Sequence, residues 1–149
     1  MNVHWRWFAW RELDPDTLYA LLKLRSDVFV VEQNCVFPEM DGLDPRCEHL
    51  CGLDASGKVV ACLRLLPPGL KYPEPSIGRL VVAPVVRKLG LGRVAMQKGI
   101  ERCRTRFPGE PIVLSAQQYL EVFYGSLGFV TTSKPYLDDG IVHVDMRLA

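Results

Sequence analysis

The sequence of this 149-residue chain lacks the marks of a membrane, secreted or nucleic-acid-binding protein. No apolar run approaches the roughly eighteen residues that a membrane-spanning helix needs, because charged residues interrupt every hydrophobic stretch. The opening segment MNVHWRWFAWRELD has no apolar centre of the kind found in a secretory signal. Basic residues number 18 against 17 acidic ones, so a net charge of +1 creates no field toward nucleic acid or membrane. We therefore expect a cytoplasmic protein that binds neither.

Cysteine is present but lacks a functional pattern. Five cysteines, an odd number without the spacing of a disulfide framework, indicate reduced thiols. Cys47 and Cys51 look like a metal clip, but this segment is predicted to enter a strand, which would place them about 13 Å apart. One zinc ion needs its sulfurs about 4 Å apart, so we expect no metal. Cys35 is considered as a covalent nucleophile and set aside, because the sequence gives its thiol no activating partner.

The order of apolar segments predicts one mixed α/β domain over residues 1–149. Hydrophobic residues make up 48% and charged residues 23%, as in an ordinary globular domain, and no repeat or linker divides the chain. Asp14-Pro15 predicts a helix start and Asp54–Gly57 a tight turn. The predicted extended segments are 3–10, 49–53, 58–66, 77–82, 112–114, 128–130 and 141–148, and the predicted helices are 15–31, 91–106 and 117–126.

The stretch from Ile77 to Ile100 predicts an anion site. An apolar strand ends at Pro84, and a basic loop with Gly90 and Gly92 leads into a helix N-terminus. Loop amides, the helix dipole and close backbone approach at glycine together favour phosphate or pyrophosphate. The loop matches neither the P-loop nor the Rossmann fingerprint. A surface turn rich in arginine and lysine is the alternative interpretation.

Charge is unevenly distributed along the chain. Residues 87–106 carry seven lysines or arginines against Glu101 alone, whereas the segment 32–48, which is irregular over 32–46, is acidic. Irregular segments of this length in small domains are usually functional or mobile. We expect the basic part to bind a polyanion and the acidic part to select an amine or another cationic group. Solvated surface charge is the alternative for both.

Three groups of residues resemble a known family. Arg87-x-x-Gly90-x-Gly92 resembles the (Gln/Arg)-x-x-Gly-x-(Gly/Ala) loop of the GCN5-related N-acetyltransferases (GNAT), which holds the pyrophosphate of acetyl-coenzyme A. EVFYGSLGF, from Glu121 to Phe129, is similar to the late motif of the same family, and the order of predicted elements matches along almost the whole chain. VFVVEQ and DGIVHVDM resemble the ElaA subfamily. Leu89 stands where many members carry a small or polar residue, which leaves the loop amides unaffected.

The resemblance implies a fold and a co-substrate. The fold would be a mixed, mostly antiparallel sheet of six or seven strands flanked by about four helices, with a β-bulge or splay after the fourth strand. The co-substrate would be acetyl-CoA, its pantetheine arm pairing with the fourth strand as an added strand does and its pyrophosphate lying on the loop. The residues expected to bind it are Leu80, Val81, Val82, Arg87, Lys88, Leu89, Gly90, Leu91, Gly92, Arg93 and Tyr124.

The resemblance also implies a general acid. Tyr124 would protonate the leaving thiolate when an amine attacks the thioester. Tyr119 is the second choice, and a buried structural tyrosine is the alternative. The candidates for a base or a substrate-side group are Glu32, Glu48, His49 and His143, although a lone histidine in a strand is more often structural.

The expected reaction is direct transfer of acetyl to a primary amine of a small molecule or peptide in a ternary complex. A non-catalytic acyl-CoA-binding or sensing module and a phosphate-binding regulator that binds no CoA stay open as alternatives. The acceptor is not identified by the sequence. Trp5, Trp7 and Trp10 would either pair the first strand across a homodimer or lie in the core of a monomer.

Overall fold

A computed structural model describes residues 2–149 as one mixed sheet with helices on both faces. The eight strands are β1 His4–Ala9, β2 Glu48–Leu53, β3 Val59–Leu66, β4 Ser76–Val82, β5 Ile112–Gln117, β6 Val130–Thr131, β7 Tyr136–Asp138 and β8 Ile141–Leu148. The α-helices are α1 Pro15–Ser26, α2 Leu91–Arg106 and α3 Glu121–Gly125, and α1 continues as a π-helix over Asp27–Glu32. In the described part of the chain, no helix is long and apolar enough to cross a membrane.

The sheet is mostly antiparallel, as expected. Its order is β1-β2-β3-β4-β5-β8-β6, with β7 also pairing with β8, and within residues 2–149 only the β4–β5 pair is parallel. The predicted fold class is confirmed, with small differences in number. The described residues form eight strands rather than six or seven, because the three-residue β7 shows no alternation that the sequence could reveal. The predicted helix 117–126 divides into a 3₁₀ turn, Gln118–Leu120, and the short α3.

Two apolar clusters hold the helices on the sheet. One lies under α2 and α3 and includes Met96, Leu114 and Tyr124. The other lies under α1 and includes Leu21 and Cys62. Alternation along each strand sends successive side chains to opposite faces, so both faces of the central strands are buried and β3 is apolar almost throughout. Trp5 and Trp7 are half-buried against the core, which agrees with the core alternative for these residues.

The centre of the sheet opens between β4 and β5. These strands pair at a single position, Ser76 with Val113, although both run on for several residues. Within β4, the pairing with β3 shifts between Gly78 and Val81, so that β4 carries an extra residue. Arg79 lies in this bulge with φ +52°, the left-handed region that most residues avoid. The expected bulge and splay are confirmed, and the bulge itself lies inside β4 rather than after it.

Candidate active site

A cavity of about 510 Å³ occupies the gap between the diverging strands. β4 and β5 form two of its walls, and the π-helix, the loop after it, the start of α2, α3 and the β7–β8 turn complete it. Beyond Ser76 one edge of β4 has no partner strand, so its backbone N–H and C=O groups have hydrogen-bonding capacity to spare. The cavity can therefore accept an extended, amide-bearing ligand as an additional strand.

The wall formed by β4 brings three residues of the predicted cofactor-binding set to the cavity. Leu80, Val81 and Val82 all line the cavity. Val81 is buried against the α1 cluster, whereas Leu80 and Val82 are half-buried. These side chains fix the strand, and the free edge of the strand faces the gap.

The basic loop lies at the start of α2. Gly90 has φ +77° and caps the helix, whose first amides have no acceptor within the helix. Lys88 is also left-handed, with φ +69°. Arg87 and Gly92 line the cavity, and the other predicted loop residues do not: Lys88, Leu89 and Gly90 are exposed beside it, Leu91 is packed in the core, and Arg93 points to Ser126. Contact with the cofactor stays a prediction for Lys88, Leu89, Gly90, Leu91 and Arg93, which are not part of the cavity lining.

Arg87 is already engaged on the rim of the cavity. Its guanidinium donates to both carboxylate oxygens of Glu32, at 2.6 and 2.8 Å, and its Nε donates to the Val82 carbonyl at 3.1 Å. The hydrogen bond from Arg87 holds the pKa of Glu32 below its usual value. Glu32 lies at the cavity as predicted, but a lowered pKa makes a weaker base. The ion pair instead restrains the residue that would meet a phosphate.

Tyr124 lies at the cavity with most of its ring buried. The ring is 8% exposed and packs edge-on against Phe123 and Phe129, with centroids 5.1 and 6.2 Å away. Burial raises the pKa of the phenol, so it stays protonated. The hydroxyl has no hydrogen-bond partner among residues 2–149, which leaves it available to a ligand. Tyr119 also borders the cavity but is 71% exposed, so the burial favours Tyr124.

Of the two histidines proposed for the acceptor side, only His143 reaches the cavity. Its Nδ1 lies 2.7 Å from the Ile141 carbonyl, and its ring stacks on Tyr136 with centroids 6.2 Å apart. His49 lies outside the cavity, which corrects its candidacy. It is fully buried, its Nε2 is 2.9 Å from the Asp44 carbonyl, and burial lowers its pKa. A neutral imidazole sealed in the core cannot exchange protons with a substrate.

The acidic segment 32–48 was expected to attract a cationic acceptor, and the structure corrects this. Every acid in it pairs with an arginine: Glu32 with Arg87, Glu39 with Arg25 and Arg79, Asp41 with Arg64 and Arg79, Asp44 with Arg25 and Arg64, and Glu48 with Arg102 and Arg106. Glu48 thereby also drops out as a base, because it lies outside the cavity. The segment has no carboxylate left for an external cation.

Three of these acids share their arginine partners and so form one largely buried network. It contains Arg25, Arg64, Arg79, Glu39, Asp41 and Asp44, three charges of each sign. The Arg25 side chain is 1% exposed and contacts Glu39 at 2.6 Å and Asp44 at 2.8 Å. Glu39 also binds the Arg79 Nε at 2.7 Å. The network therefore ties the irregular segment to α1, to β3 and to the bulge of β4.

The sequence did not reveal a polar patch on β5 and β8. Ser115 pairs in register with Asp145, and Gln117 with His143, so all four side chains share one face of the sheet. Gln117 also bonds to Gln33 at 3.2 Å. The available signal was the alternation of polar residues within two otherwise apolar strands, at Ser115 and Gln117 and again at His143 and Asp145.

Comparison with known proteins agrees with this architecture. A family model described as an acetyltransferase (GNAT) domain matches residues 46–149. A UPF0039 protein of Schizosaccharomyces pombe is 43% identical, covering 99% of this chain and 97% of its own. ElaA of Escherichia coli is 37% identical, covering 97% and 95%.

Solved structures superpose closely. The crystal structure of an acyl-CoA N-acyltransferase from Pseudomonas aeruginosa has a TM-score of 0.94 at 39% identity, covering 99% of this chain and all of its own. That of E. coli ElaA has a TM-score of 0.92 at 35% identity, with 99% and 100% covered. The splayed sheet, the loop before α2 and these relatives agree, and the chain belongs to the GNAT acetyltransferase family, with ElaA-like proteins among its relatives.

Proposed function

We propose that this protein transfers an acetyl group from acetyl-CoA to a primary amine of a small molecule or peptide, by direct attack in a ternary complex. The observation that carries the proposal is the position of Tyr124. It lines a cavity between a free strand edge and a helix N-terminus, and its hydroxyl has no hydrogen-bond partner within residues 2–149. Acyl-CoA is the co-substrate of the family, and the acetyl donor is proposed from the family description.

The residues of the cavity would divide the work between binding and chemistry. The free edge of β4 would pair with the amides of the pantetheine arm. The amides at the start of α2 and the guanidinium of Arg87 would hold the pyrophosphate. Pairing of the pantetheine arm and binding of the pyrophosphate would together place the thioester in the gap, within reach of the Tyr124 hydroxyl.

The chemistry follows from the charges that develop. The amine lone pair attacks the thioester carbon, the C–S bond breaks, and Tyr124 donates its proton to the leaving sulfur. A phenol with a raised pKa is neutral when the substrate arrives, so it has a proton to give. Cys35 also borders the cavity, but its thiol donates to the Asp139 carbonyl at 3.1 Å. Direct transfer needs no acyl-cysteine.

The first test is a melting scan with coenzyme A. A ligand at one hundred times its dissociation constant adds about 2.7 kcal/mol to the free energy of unfolding, which corresponds to a rise in Tm of about 5–10 °C for a domain of this size. Pantetheine, which lacks the pyrophosphate, is the control ligand and should give a smaller rise. A Tm that does not respond to CoA would overturn the proposal and favour a phosphate-binding regulator that binds no CoA.

The second test separates an enzyme from a binding module. Thiol release from acetyl-CoA is followed with a panel of small primary amines. Release that depends on amine concentration supports direct transfer. A rise in Tm with CoA but no release with any amine would contradict catalysis and support a non-catalytic acyl-CoA-binding role.

A further inference from the structure

Three side chains form a hydrogen-bonded chain that starts at the cavity. Ser115, on β5, lines the cavity, and its Oγ lies 2.5 Å from the Tyr136 hydroxyl on β7. The Tyr136 hydroxyl donates to Oδ1 of Asp145, on β8, at 2.6 Å. Neither Tyr136 nor Asp145 lines the cavity. These hydrogen bonds therefore connect the cavity to a carboxylate that lies outside the cavity lining.

The direction of the hydrogen bonds is fixed by the number of protons. A phenol has one proton, and in this chain it is directed at the carboxylate, which can only accept. The serine hydroxyl must then donate to the phenol oxygen. This leaves the lone pairs of Ser115 free to accept a hydrogen bond from a group in the cavity, such as the N–H of an amine.

Other features suit the chain to moving a proton. Asp145 is half-buried and its backbone N–H is held by Ser133 at 2.9 Å, so its position is fixed while solvent stays within reach. Burial, together with the hydrogen bond to Asp145, raises the pKa of Tyr136 to about 12. The other titratable groups around these three side chains are Tyr72, before β4, Asp138 on β7, and His143 stacked on Tyr136.

We propose that Ser115, Tyr136 and Asp145 are a proton relay that accepts the proton of the attacking amine. The proposal rests on the proposed function. Ser115 is the catalytic residue that touches the acceptor, and Tyr136 and Asp145 are positioning residues that act through it. The relay takes the role of base for which Glu32, Glu48 and His49 are unsuited.

The amine arrives as the free base, and its lone pair forms the N–C bond, which makes the nitrogen strongly acidic. Its proton passes to the Ser115 oxygen while the serine proton moves to Tyr136 and the phenol proton moves to Asp145. On the other side the C–S bond breaks and Tyr124 protonates the thiolate. Solvent then removes the proton from Asp145 and returns one to Tyr124.

The first experiment detects the connection without turnover. Protein labelled with ¹³C at the tyrosine Cζ is titrated with coenzyme A and then with n-propylamine, and the Tyr124 and Tyr136 signals are assigned by their loss in Tyr124→Phe and Tyr136→Phe. We expect CoA to shift Tyr124, and the amine to shift Tyr136 in the wild type but not in Ser115→Ala. An unmoved Tyr136 signal in protein whose Tyr124 responds to CoA overturns the relay alone. An unmoved Tyr124 signal overturns the proposed function and the relay with it.

The second experiment separates proton transfer from support of the fold. Asp145→Asn keeps an acceptor for the Tyr136 hydroxyl but cannot take its proton. In thiol release from acetyl-CoA with n-propylamine, we expect kcat to fall at least tenfold with KM for acetyl-CoA unchanged within about twofold. Glu74→Gln is the control. Glu74 pairs with Arg147, which is on β8 like Asp145, and it has no hydrogen bond to Ser115. A kcat in Asp145→Asn equal to that of the control would overturn the proposal.

Discussion

The two sides of the cavity are built in different ways. On the proposed cofactor side, β4, the basic loop and the start of α2 follow one another within residues 76–93 and present mainly backbone groups. On the proposed acceptor side, side chains come from the segment 33–39 and from β5, β7 and β8, far apart in the chain. The first side depends on local chain geometry, and the second depends on tertiary pairing. We therefore expect substitutions on the two sides to change different measured quantities.

The largest expected effect is on the buried network that supports the acceptor side. Asp44→Ala would leave the buried guanidinium groups of Arg25 and Arg64 without a shared partner. Removing one member of a buried pair costs about 3–5 kcal/mol, so we expect a loss of that size in urea unfolding. The control is Asp27→Ala, because the pair of Asp27 with Lys23 is solvent-exposed and such pairs contribute little to stability. Equal losses in the two variants would contradict a special role for the network.

The next effect concerns the point where the two sides meet. Tyr124→Phe keeps the buried ring and removes the acid. We expect kcat for thiol release to fall about 100-fold, because positioned proton transfer contributes about 10²–10⁴ in rate, while KM for acetyl-CoA changes little. Tyr119→Phe is the matched control and should keep the wild-type rate. If both variants turn over like the wild type, Tyr124 is not the acid.

Acid should destabilise the fold through the buried network and through His49. Although burial alone would raise it, hydrogen bonding and charge from Arg64 hold the pKa of Asp41 below its usual value, and Arg25 and Arg64 do the same for Asp44. A carboxyl whose folded pKa is depressed stabilises above its unfolded pKa of about 3.9 and loses that contribution as pH falls toward the folded pKa. The buried His49, whose pKa is lowered, adds a loss that begins near its unfolded pKa of about 6.5.

We therefore expect the free energy of unfolding to fall progressively below about pH 6.5 and more steeply below about pH 4. Urea titrations at several pH values measure this dependence. Asp41→Asn should be less stable at pH 7 and should show a shallower acid slope than the wild type. An unchanged slope would mean that Asp41 contributes nothing to the pH dependence.

The smallest effect tests the cofactor side. Arg87→Gln removes one guanidinium from a site that also has backbone amides, so we expect CoA affinity to fall only about tenfold by calorimetry. Glu32→Gln should raise affinity modestly, because Arg87 is then free of its ion pair. Arg104→Gln, at the far end of α2, is the control. A weaker affinity in Glu32→Gln would contradict competition between Glu32 and the pyrophosphate for Arg87.

The same contrast explains what the sequence could predict. The boundaries of α2 agree with the prediction because Gly90 precedes it and Pro108 follows it, and both signals are local. The start of α1 is also local, since Asp14 Oδ2 accepts from the Thr17 amide at 3.0 Å. The prediction of Tyr124 and the loop as site residues likewise came from motifs within short stretches of chain.

The acceptor side was predicted less well, because the surroundings of its residues depend on partners that are distant in sequence. Glu39 lies 40 residues from Arg79, and nothing in the acidic segment indicates that arginines neutralise it. His49 was placed at the site on residue type, but its strand register turns it into the core beside Asp44. Ser115 and Asp145 become neighbours only through the β5–β8 pairing.

The single position at which β4 and β5 pair has a consequence for the local opening of the sheet. The amides along the two facing edges have no partner strand beyond Ser76 and Val113, while those inside each half of the sheet are held in full ladders. Without ligand, hydrogen exchange should therefore be fast along this seam and slow on both sides of it. A bound acyl donor would slow exchange there, so the substrate of the reaction would also complete the middle of the sheet.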